Sequence, residues 1–246
     1  MLNIYLADLV YDSTETNHVI PLNVACLAAY AKEEIGNSVN IKIFKYPLEL
    51  EKEIQLNPPD VLGLSNYSWN ERLNHHFCNI VKRKNKLVTT ILGGPNIRLD
   101  HSSIEGYLRN NRYIDYYIVG EGEEPFVETI KRLQGGLSSA SLPDGCAKLH
   151  NNNLVYTPTN TRHQPKEYDY KSPYLTGILD PFIKDKKCIP LFESNRGCPF
   201  SCTYCAWGVS QLSRVRKKSL NIIFEEMNYV RKHSAGQQSW IFADAN

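Results

Sequence analysis

The feature that most constrains the fold is a regular alternation of short apolar segments with amphipathic ones over residues 1–135. The apolar segments have the length of buried strands, and helices between successive strands give a parallel sheet. Strands are predicted at residues 2–9, 40–44, 61–65, 87–92 and 116–119, and helices at 21–34, 70–84 and 123–134. The sequence therefore predicts an α/β fold with a doubly wound, Rossmann-like parallel sheet.

The loops that follow these strands are the candidate ligand edge, because ligands of open α/β sheets bind outside the carboxyl ends of the strands. The loops are predicted at residues 8–20, 65–69, 93–98 and 120–123. Several contain glycine, which lets a ligand approach the backbone closely. Tight turns alone also explain these glycines, so they indicate an edge and not a ligand.

Composition sets broad bounds on the class of protein. A chain of 246 residues is long enough for one or two domains, and its 42% hydrophobic and 22% charged residues are ordinary for a soluble globular protein. The net charge of +2 gives no indication of nucleic-acid binding. No apolar run approaches the ~18 residues of a membrane span, and the first residues read as a strand and not as a signal peptide.

The pattern changes after residue 135. Residues 136–188 are rich in Ser, Pro and Tyr and contain one hairpin pattern, with strands at 147–149 and 154–156. Beyond them we expect a strand at 189–193, a helix with Ser219 as its N-cap and a strand at 239–243. The predicted organisation is a first domain over residues 1–135, a linker with a hairpin over 136–188 and a second domain over 189–246.

Three of the seven cysteines, Cys198, Cys202 and Cys205, lie on one short loop with CxxxCxxC spacing. Structural zinc sites usually take four protein ligands, and disulfide frameworks are typical of small secreted chains. Three thiolates can hold three irons of a 4Fe–4S cluster and leave the fourth open to a second molecule. The spacing therefore favours such a cluster over zinc or a disulfide, and thiolates kept for iron favour the reducing cytoplasm. Of the scattered cysteines, Cys26 and Cys78 lie on apolar helix faces and are read as core packing.

The cysteine loop resembles the signature of the radical S-adenosylmethionine (SAM) enzymes. The residues that carry the resemblance are Arg196-Gly197, Cys198, Cys202, Tyr204, Cys205 and Trp207-Gly208. It implies that the three cysteines bind a 4Fe–4S cluster, that SAM chelates the open iron and that Tyr204 lies near the adenine. It also implies reductive cleavage of SAM and an electron donor such as flavodoxin or ferredoxin.

Residues 1–135 resemble the cobalamin-binding domain that precedes the radical domain in one branch of that family. The matching stretches are Pro21 to Ala29, Asp60 to Ser65, Gly93-Gly94-Pro95 and Gly120-Glu121-Gly122-Glu123. The resemblance implies that Ser65, Gly93 and Gly94 line the slot for the nucleotide tail, with Gly120 and Glu121 as further candidates. Interaction with a helix dipole is by itself a sufficient explanation of Glu121.

One departure concerns cobalt. Cobalamin domains that ligate cobalt from below carry Asp-x-His-x-x-Gly after the first strand, whereas this chain has Asp8-Leu-Val-Tyr-Asp12. His18 does not fit the spacing and is read as an ordinary loop residue. Two alternatives follow: cobalamin binds without a protein histidine on cobalt, or the domain has lost the cofactor.

The radical domain of this family resembles a partial (β/α)₆ barrel, of which the chain from Ile189 contains the first βαβ unit. Asp244-Ala-Asn246 resembles the start of the family's second-strand motif, so the sequence reads as truncated within that domain. The resemblance implies the N-terminal part of a cobalamin-dependent radical SAM enzyme that methylates or otherwise modifies an unknown small molecule. The alternative is a non-catalytic cofactor-binding fragment with a vestigial cluster loop. The sequence assigns no catalytic residue.

Overall fold

The computed structural model describes residues 1–13, 16, 18–135, 142–159, 170–200, 202–203, 205, 215–236 and 239–244. The chain divides into two compact units, the first made of residues 1–15 and 30–159 and the second of residues 16–29 and 160–246. No helix in the described ranges is long and apolar enough to cross a bilayer.

The strands differ greatly in length between the two units. They are β1 (Leu2–Ala7), β2 (His18–Val19), β3 (Val39–Phe44), β4 (Val61–Ser65), β5 (Thr89–Gly93), β6 (Tyr116–Ile118), β7 (Cys146–His150), β8 (Asn153–Tyr156), β9 (Cys188–Ile189), β10 (Leu191–Phe192), β11 (Asn195–Arg196), β12 (Arg216–Lys217) and β13 (Ile241–Phe242).

Most helices connect strands of the first unit, and α6 and α7 belong to the second unit. They are α1 (Leu22–Ile35), α2 (Pro47–Leu56), α3 (Glu71–Lys84), α4 (His101–Asn110), α5 (Glu123–Gly135), α6 (Asp180–Ile183) and α7 (Leu220–His233), with a 3₁₀ turn at Gly36–Ser38.

The first unit is built on one seven-stranded sheet with the order β3-β1-β4-β5-β6-β7-β8. The strands from β3 to β6 are parallel, which confirms the predicted doubly wound, Rossmann-like α/β fold. The chain direction across the sheet reverses at β1, because β3 lies on one side of it and β4 on the other. In such sheets this switch point opens a crevice at the carboxyl ends of the strands.

Helices α2 and α4 are absent from the sequence prediction, and the reason is physical. Each contributes only two side chains to the interior, Leu50 and Ile54 from α2 and Ile104 and Leu108 from α4. Two buried apolar side chains four residues apart are too few to establish a helical repeat in the sequence. The start of α4 is nevertheless marked in the sequence, because the Asp100 carboxylate caps it by accepting from Ser103 N at 2.9 Å.

The β7–β8 hairpin forms as predicted, but it belongs to the main sheet and not to a linker. β7 pairs antiparallel with β6, opposing Ala147 to Tyr117, and Ala147 is fully buried. Asn151 and Asn152 make the turn with φ of 49° and 66°, which suits a two-residue hairpin connection. The hairpin is therefore added to the sheet edge that the parallel strands leave uncovered.

In the second unit the predicted strand at 189–193 is interrupted at Pro190, which has no N–H to donate. β9 pairs with β2, whereas β10 pairs with β13. His18, predicted to lie in a loop, belongs to β2. Ser219 precedes α7 as predicted, but its side chain makes no capping hydrogen bond.

Burial separates the cysteines into two chemical classes. Cys78 and Cys146 are fully buried, whereas Cys202 is exposed and Cys26 is half-buried. Desolvation raises the pKa of the Cys146 thiol to about 11 and also raises the pKa of Cys78. Since the thiolate is the reactive form, iodoacetamide at pH 8 should alkylate Cys202 more than about tenfold faster than either buried thiol.

Peptide mass spectrometry of the native chain measures these rates. Guanidinium-unfolded protein is the control, and in it the sites should react alike. Comparable native rates at Cys146 and Cys202 would show that the hairpin is not packed on the sheet.

Candidate functional site

The parallel register brings the predicted ligand-edge residues to one side of the first unit. Ser65, the last residue of β4, lies opposite Gly93, the last residue of β5. Asp8 follows β1, and Gly120 follows β6 two residues beyond its end. Glu121 lies just before α5 and is half-buried. The structure thus places these predicted site residues at the carboxyl ends of adjacent strands.

Beside Ser65 lies a buried ion pair that the sequence did not reveal. Lys45 Nζ contacts Asp8 Oδ2 at 2.8 Å, and both residues are buried. The Ser65 hydroxyl donates to the other carboxylate oxygen, Asp8 Oδ1, at 2.6 Å. A charged pair therefore lies beneath the switch point.

The loop after β4 is fixed by the amide of Asn66, which is completely buried. Its Nδ2 donates to the hydroxyls of Tyr107 at 3.1 Å and Tyr117 at 3.2 Å. The Tyr117 hydroxyl in turn donates to Gly94 O at 2.9 Å, and Asn66 N donates to Gly93 O at 2.6 Å. The loops after β4 and β5 are thus joined by both backbone and side-chain hydrogen bonds.

Two further buried asparagines hold the same loop from below. Asn70 Oδ1 accepts from Tyr67 N at 2.8 Å, while its Nδ2 donates to Leu9 O at 3.2 Å. Asn74 Nδ2 donates to Ser65 O at 2.8 Å. The repeated spacing of Asn66, Asn70 and Asn74 is visible in the sequence, and buried polar side chains of this kind specify a loop conformation when satisfied.

The glycines at the edge have different roles. Gly94 has φ of +127°, and a Cβ there would lie 2.6 Å from Asn66 O, so close packing of two loops requires this glycine. Gly120 has φ of +89°, but the nearest atom to its Cβ position is the Thr159 hydroxyl oxygen at 3.9 Å. That hydroxyl is buried without a hydrogen-bond partner in the described ranges. Space and an available polar group therefore lie beside Gly120 and not beside Gly94.

Aromatic side chains complete the edge. Tyr67 and Trp69 stack with ring centroids 4.4 Å apart and planes 9° apart, and Trp69 is 61% exposed. Tyr11, after β1, is also exposed. Rigid aromatic faces beside a few polar groups are the usual lining of a small-molecule site. Sequence analysis did not single out these aromatics, although the loop 65–69 was identified as a ligand loop.

The cysteine loop lies in the second unit. Cys198 is buried, Cys205 is half-buried, and Cys205 N donates to Cys202 O at 3.1 Å. Asp244, two residues beyond β13, accepts through Oδ1 from Ser194 N at 2.7 Å and so holds the segment between β10 and β11 that leads into the loop. Tyr204 and Trp207 lie outside the described residues.

Three thiols are a suitable donor set for an iron–sulfur cluster. Within the described ranges, however, no three Cys, His, Asp or Glu side chains converge closely enough to hold a metal ion.

Comparisons with known proteins agree with this geometry. Residues 10–130 match the family model of the B12 binding domain. The chain is 29% identical over 238 residues to the 2-(S-pantetheinyl)-carbapenam-3-carboxylate methyltransferase of Streptantibioticus cattleyicolor and to the cobalamin-dependent radical SAM methyltransferase TokK of Streptomyces tokunonensis. These alignments cover 92% of this chain and 34% of each relative, so the chain spans about a third of their length.

The B12 binding domain match and these relatives support a place for the chain in the branch of the radical SAM superfamily with an N-terminal cobalamin-binding domain. The solved structure of the cobalamin-dependent SAM radical enzyme OxsB, with aqua-cobalamin and SAM bound, superposes with a TM-score of 0.72 at 17% identity. It covers 100% of this chain and 34% of OxsB. This likeness shows that the chain has the fold of the matching part of OxsB.

The contact between Gly94 and Asn66 gives a stability prediction. Replacing Gly94 by Ala forces a Cβ against backbone at a φ that L-residues rarely adopt, so the free energy of unfolding should fall by at least about 2 kcal/mol. Apart from its own helix, no described residue places an atom within 4 Å of the Cβ position of Gly106 in α4, so Gly106→Ala should stabilise by about 0.5–1 kcal/mol. Urea unfolding followed by circular dichroism measures both, and equal effects would exclude the close loop contact.

His75 gives a pH prediction. Its Nε2 lies 3.0 Å from the Tyr107 hydroxyl, and burial lowers the pKa of His75 despite the opposing charge of Glu71. Because the pKa of His75 is lower in the folded state, protonation of His75 favours the unfolded chain. The stability that neutral His75 contributes is therefore complete above the unfolded pKa of about 6.5 and is lost as the pH falls below it.

Thermal melts between pH 8 and pH 5 test this expectation. His75→Gln should reduce the loss of stability between pH 8 and pH 5. His76 is exposed, so His76→Gln is the control and should behave like the wild type. An unchanged profile for His75→Gln would show that His75 does not carry the effect.

Proposed function

We propose that this chain is the cobalamin-binding and cluster-binding N-terminal part of a cobalamin-dependent radical SAM methyltransferase. The observation that carries the proposal is the coincidence of a B12 binding domain match over residues 10–130 with a polar and aromatic sheet edge inside that range. Methyl transfer is inferred from the names of the two relatives. The substrate is a small molecule of unknown class.

The residues at the edge fit the chemistry of cobalamin. Among the described residues, no atom lies closer than 3.9 Å to the Cβ position of Gly120, and the Thr159 hydroxyl has no hydrogen-bond partner. Trp69 and Tyr67 present a flat apolar face suited to the dimethylbenzimidazole or the corrin, and Ser65 and Gly93 would contact the nucleotide tail. Val10 occupies the third position of the cobalt-ligating pattern, so the chain holds cobalamin without a histidine from that loop.

The proposal assigns the radical chemistry to the second unit. Cys198, Cys202 and Cys205 would bind a 4Fe–4S cluster, with Tyr204 near the adenine of SAM. When bound, cobalamin supplies a methyl carrier, and the cluster with SAM supplies one-electron chemistry. The chain's own contribution is to hold the groups: Asp244 and the Arg196–Glu193 ion pair, at 2.8 Å, fix the strand before the cysteines. We further propose a cytoplasmic location and a flavodoxin or ferredoxin as electron donor.

Cobalamin binding is tested by titrating the full chain with hydroxocobalamin and following the absorbance spectrum. The wild type should bind, and Trp69→Ala should weaken binding by about tenfold, since a buried aromatic contact contributes on the order of 1–2 kcal/mol. Trp240→Phe, which alters a tryptophan of the second unit, is the matched control and should keep wild-type affinity. Absence of wild-type binding would overturn the proposal for the first unit.

Cluster binding is tested separately by anaerobic reconstitution of the full chain. About four irons per chain are expected for a cubane cluster, and Cys202→Ala should lower iron content, whereas Cys26→Ala outside the loop should not. Adding SAM and dithionite should then release 5′-deoxyadenosine.

A second candidate function is a non-catalytic cobalamin-binding module with a vestigial cluster loop. It is motivated by Val10, which stands where cobalt-ligating domains carry a histidine. Cobalamin binding without iron uptake would support this alternative, and 5′-deoxyadenosine production would exclude it.

A further inference from the structure

The ligand edge contains a buried ion pair that the proposed cobalamin contacts do not explain. The side chains of Lys45 and Asp8 are 2% and 9% exposed, and Lys45 Nζ lies 2.8 Å from Asp8 Oδ2. Burying two charges costs several kcal/mol of desolvation per ion, and an apolar pair of similar volume is often equally stable or more stable. Stability alone therefore does not account for charges at this position.

The backbone of the sheet fixes this pair. Ala7 lies opposite Phe44 in the β1–β3 ladder, so Asp8 and Lys45 are the next residues of two adjacent parallel strands. Asp8 N donates to Phe44 O at 3.1 Å, and Val10 N donates to Lys45 O at 3.3 Å. The ladder thus continues past both side chains, and Asp8 is held where it meets Ser65.

The pair determines what Ser65 can offer to a ligand. A serine hydroxyl has one proton to donate and two lone pairs to accept with. The Ser65 proton is directed to Asp8 Oδ1 at 2.6 Å, and Lys45 occupies the other carboxylate oxygen. Lys45 balances the charge of Asp8 and leaves Asp8 Oδ1 to accept from Ser65. Ser65 therefore has only its lone pairs to offer at the ligand edge.

We infer that Lys45 and Asp8 are positioning residues that fix Ser65 as a hydrogen-bond acceptor for a donor group of the cobalamin nucleotide tail. This inference rests on the proposed cobalamin binding. The tail offers donors of the right kind, the ribose hydroxyls and the amide N–H of its linker. Lys45 itself contacts no ligand in this assignment and acts through Asp8 and Ser65.

The test compares hydroxocobalamin with cobinamide, which has the corrin but lacks the nucleotide tail. Ser65→Ala should weaken hydroxocobalamin binding about tenfold, the effect of about one hydrogen bond, and leave cobinamide binding unchanged. Asp8→Leu/Lys45→Met replaces the ion pair with apolar groups and frees the Ser65 proton. Because the freed hydroxyl is no longer oriented but still has its lone pairs, this variant should bind hydroxocobalamin more weakly than the wild type, by no more than Ser65→Ala does, and should bind cobinamide unchanged.

Two controls separate positioning from a general structural role. Lys45→Arg keeps the charge and should preserve the ratio of the two affinities. Lys42→Met/Glu53→Gln removes another ion pair, 2.7 Å long and partly exposed, and should also leave the ratio unchanged. Thermal melts of every variant establish that each is folded.

Wild-type affinity for hydroxocobalamin in Asp8→Leu/Lys45→Met, or an equal loss for both ligands, would overturn the inference. If that double variant does not fold, Ser65→Ala and Lys45→Arg together test the inference. It is contradicted if Ser65→Ala leaves the ratio of hydroxocobalamin to cobinamide affinity unchanged, or if Lys45→Arg lowers that ratio. A wild-type chain that binds neither corrinoid would contradict the proposed function instead.

Discussion

The parallel register of β1, β4 and β5 is the constraint on which the ligand edge depends. Hydrogen bonding along β4 and β5 sets Ser65 opposite Gly93, and the ladder between β1 and β3 sets Asp8 beside Lys45. A slip of one residue would turn every one of these side chains to the other face of the sheet. The buried apolar residues of β1 and β4 oppose such a slip, so the same packing that stabilises the core also positions the polar groups.

The polar side chains at this edge form a rigid support and not a flexible loop. Asn66, Asn70 and Asn74 are completely buried, and the Nδ2 group of each donates to backbone or to tyrosine hydroxyls. Within the described residues Asn74 Oδ1 has no hydrogen-bond partner. Buried amides without partners cost about 1–3 kcal/mol each, so this arrangement is stable only when the loops after β4 and β5 meet closely. Gly94 makes that meeting possible, because any Cβ there would overlap Asn66 O.

The sequence predicted the strands well because buried parallel strands appear as continuous apolar runs. It did not predict α2 or α4, since each helix buries only two side chains, nor that the hairpin joins the sheet, since edge pairing leaves no periodic signal. Ser65, Gly93 and Gly120 were found as strand-end residues. Lys45 was not, because a lysine after a strand is normally solvated and only the tertiary structure shows its carboxylate partner.

Specificity at the candidate site depends on hydrogen-bond polarity as much as on shape. The match to the B12 binding domain identifies a class of ligand, yet it does not distinguish residues that contact the ligand from residues that hold others in place. Gly94 belongs to the second group, since its neighbour is Asn66. Gly120, by contrast, adjoins the Thr159 hydroxyl, which has no hydrogen-bond partner in the part of the chain that the structure describes. Lys45 also holds another residue in place, because it binds Asp8, and Asp8 accepts the Ser65 proton.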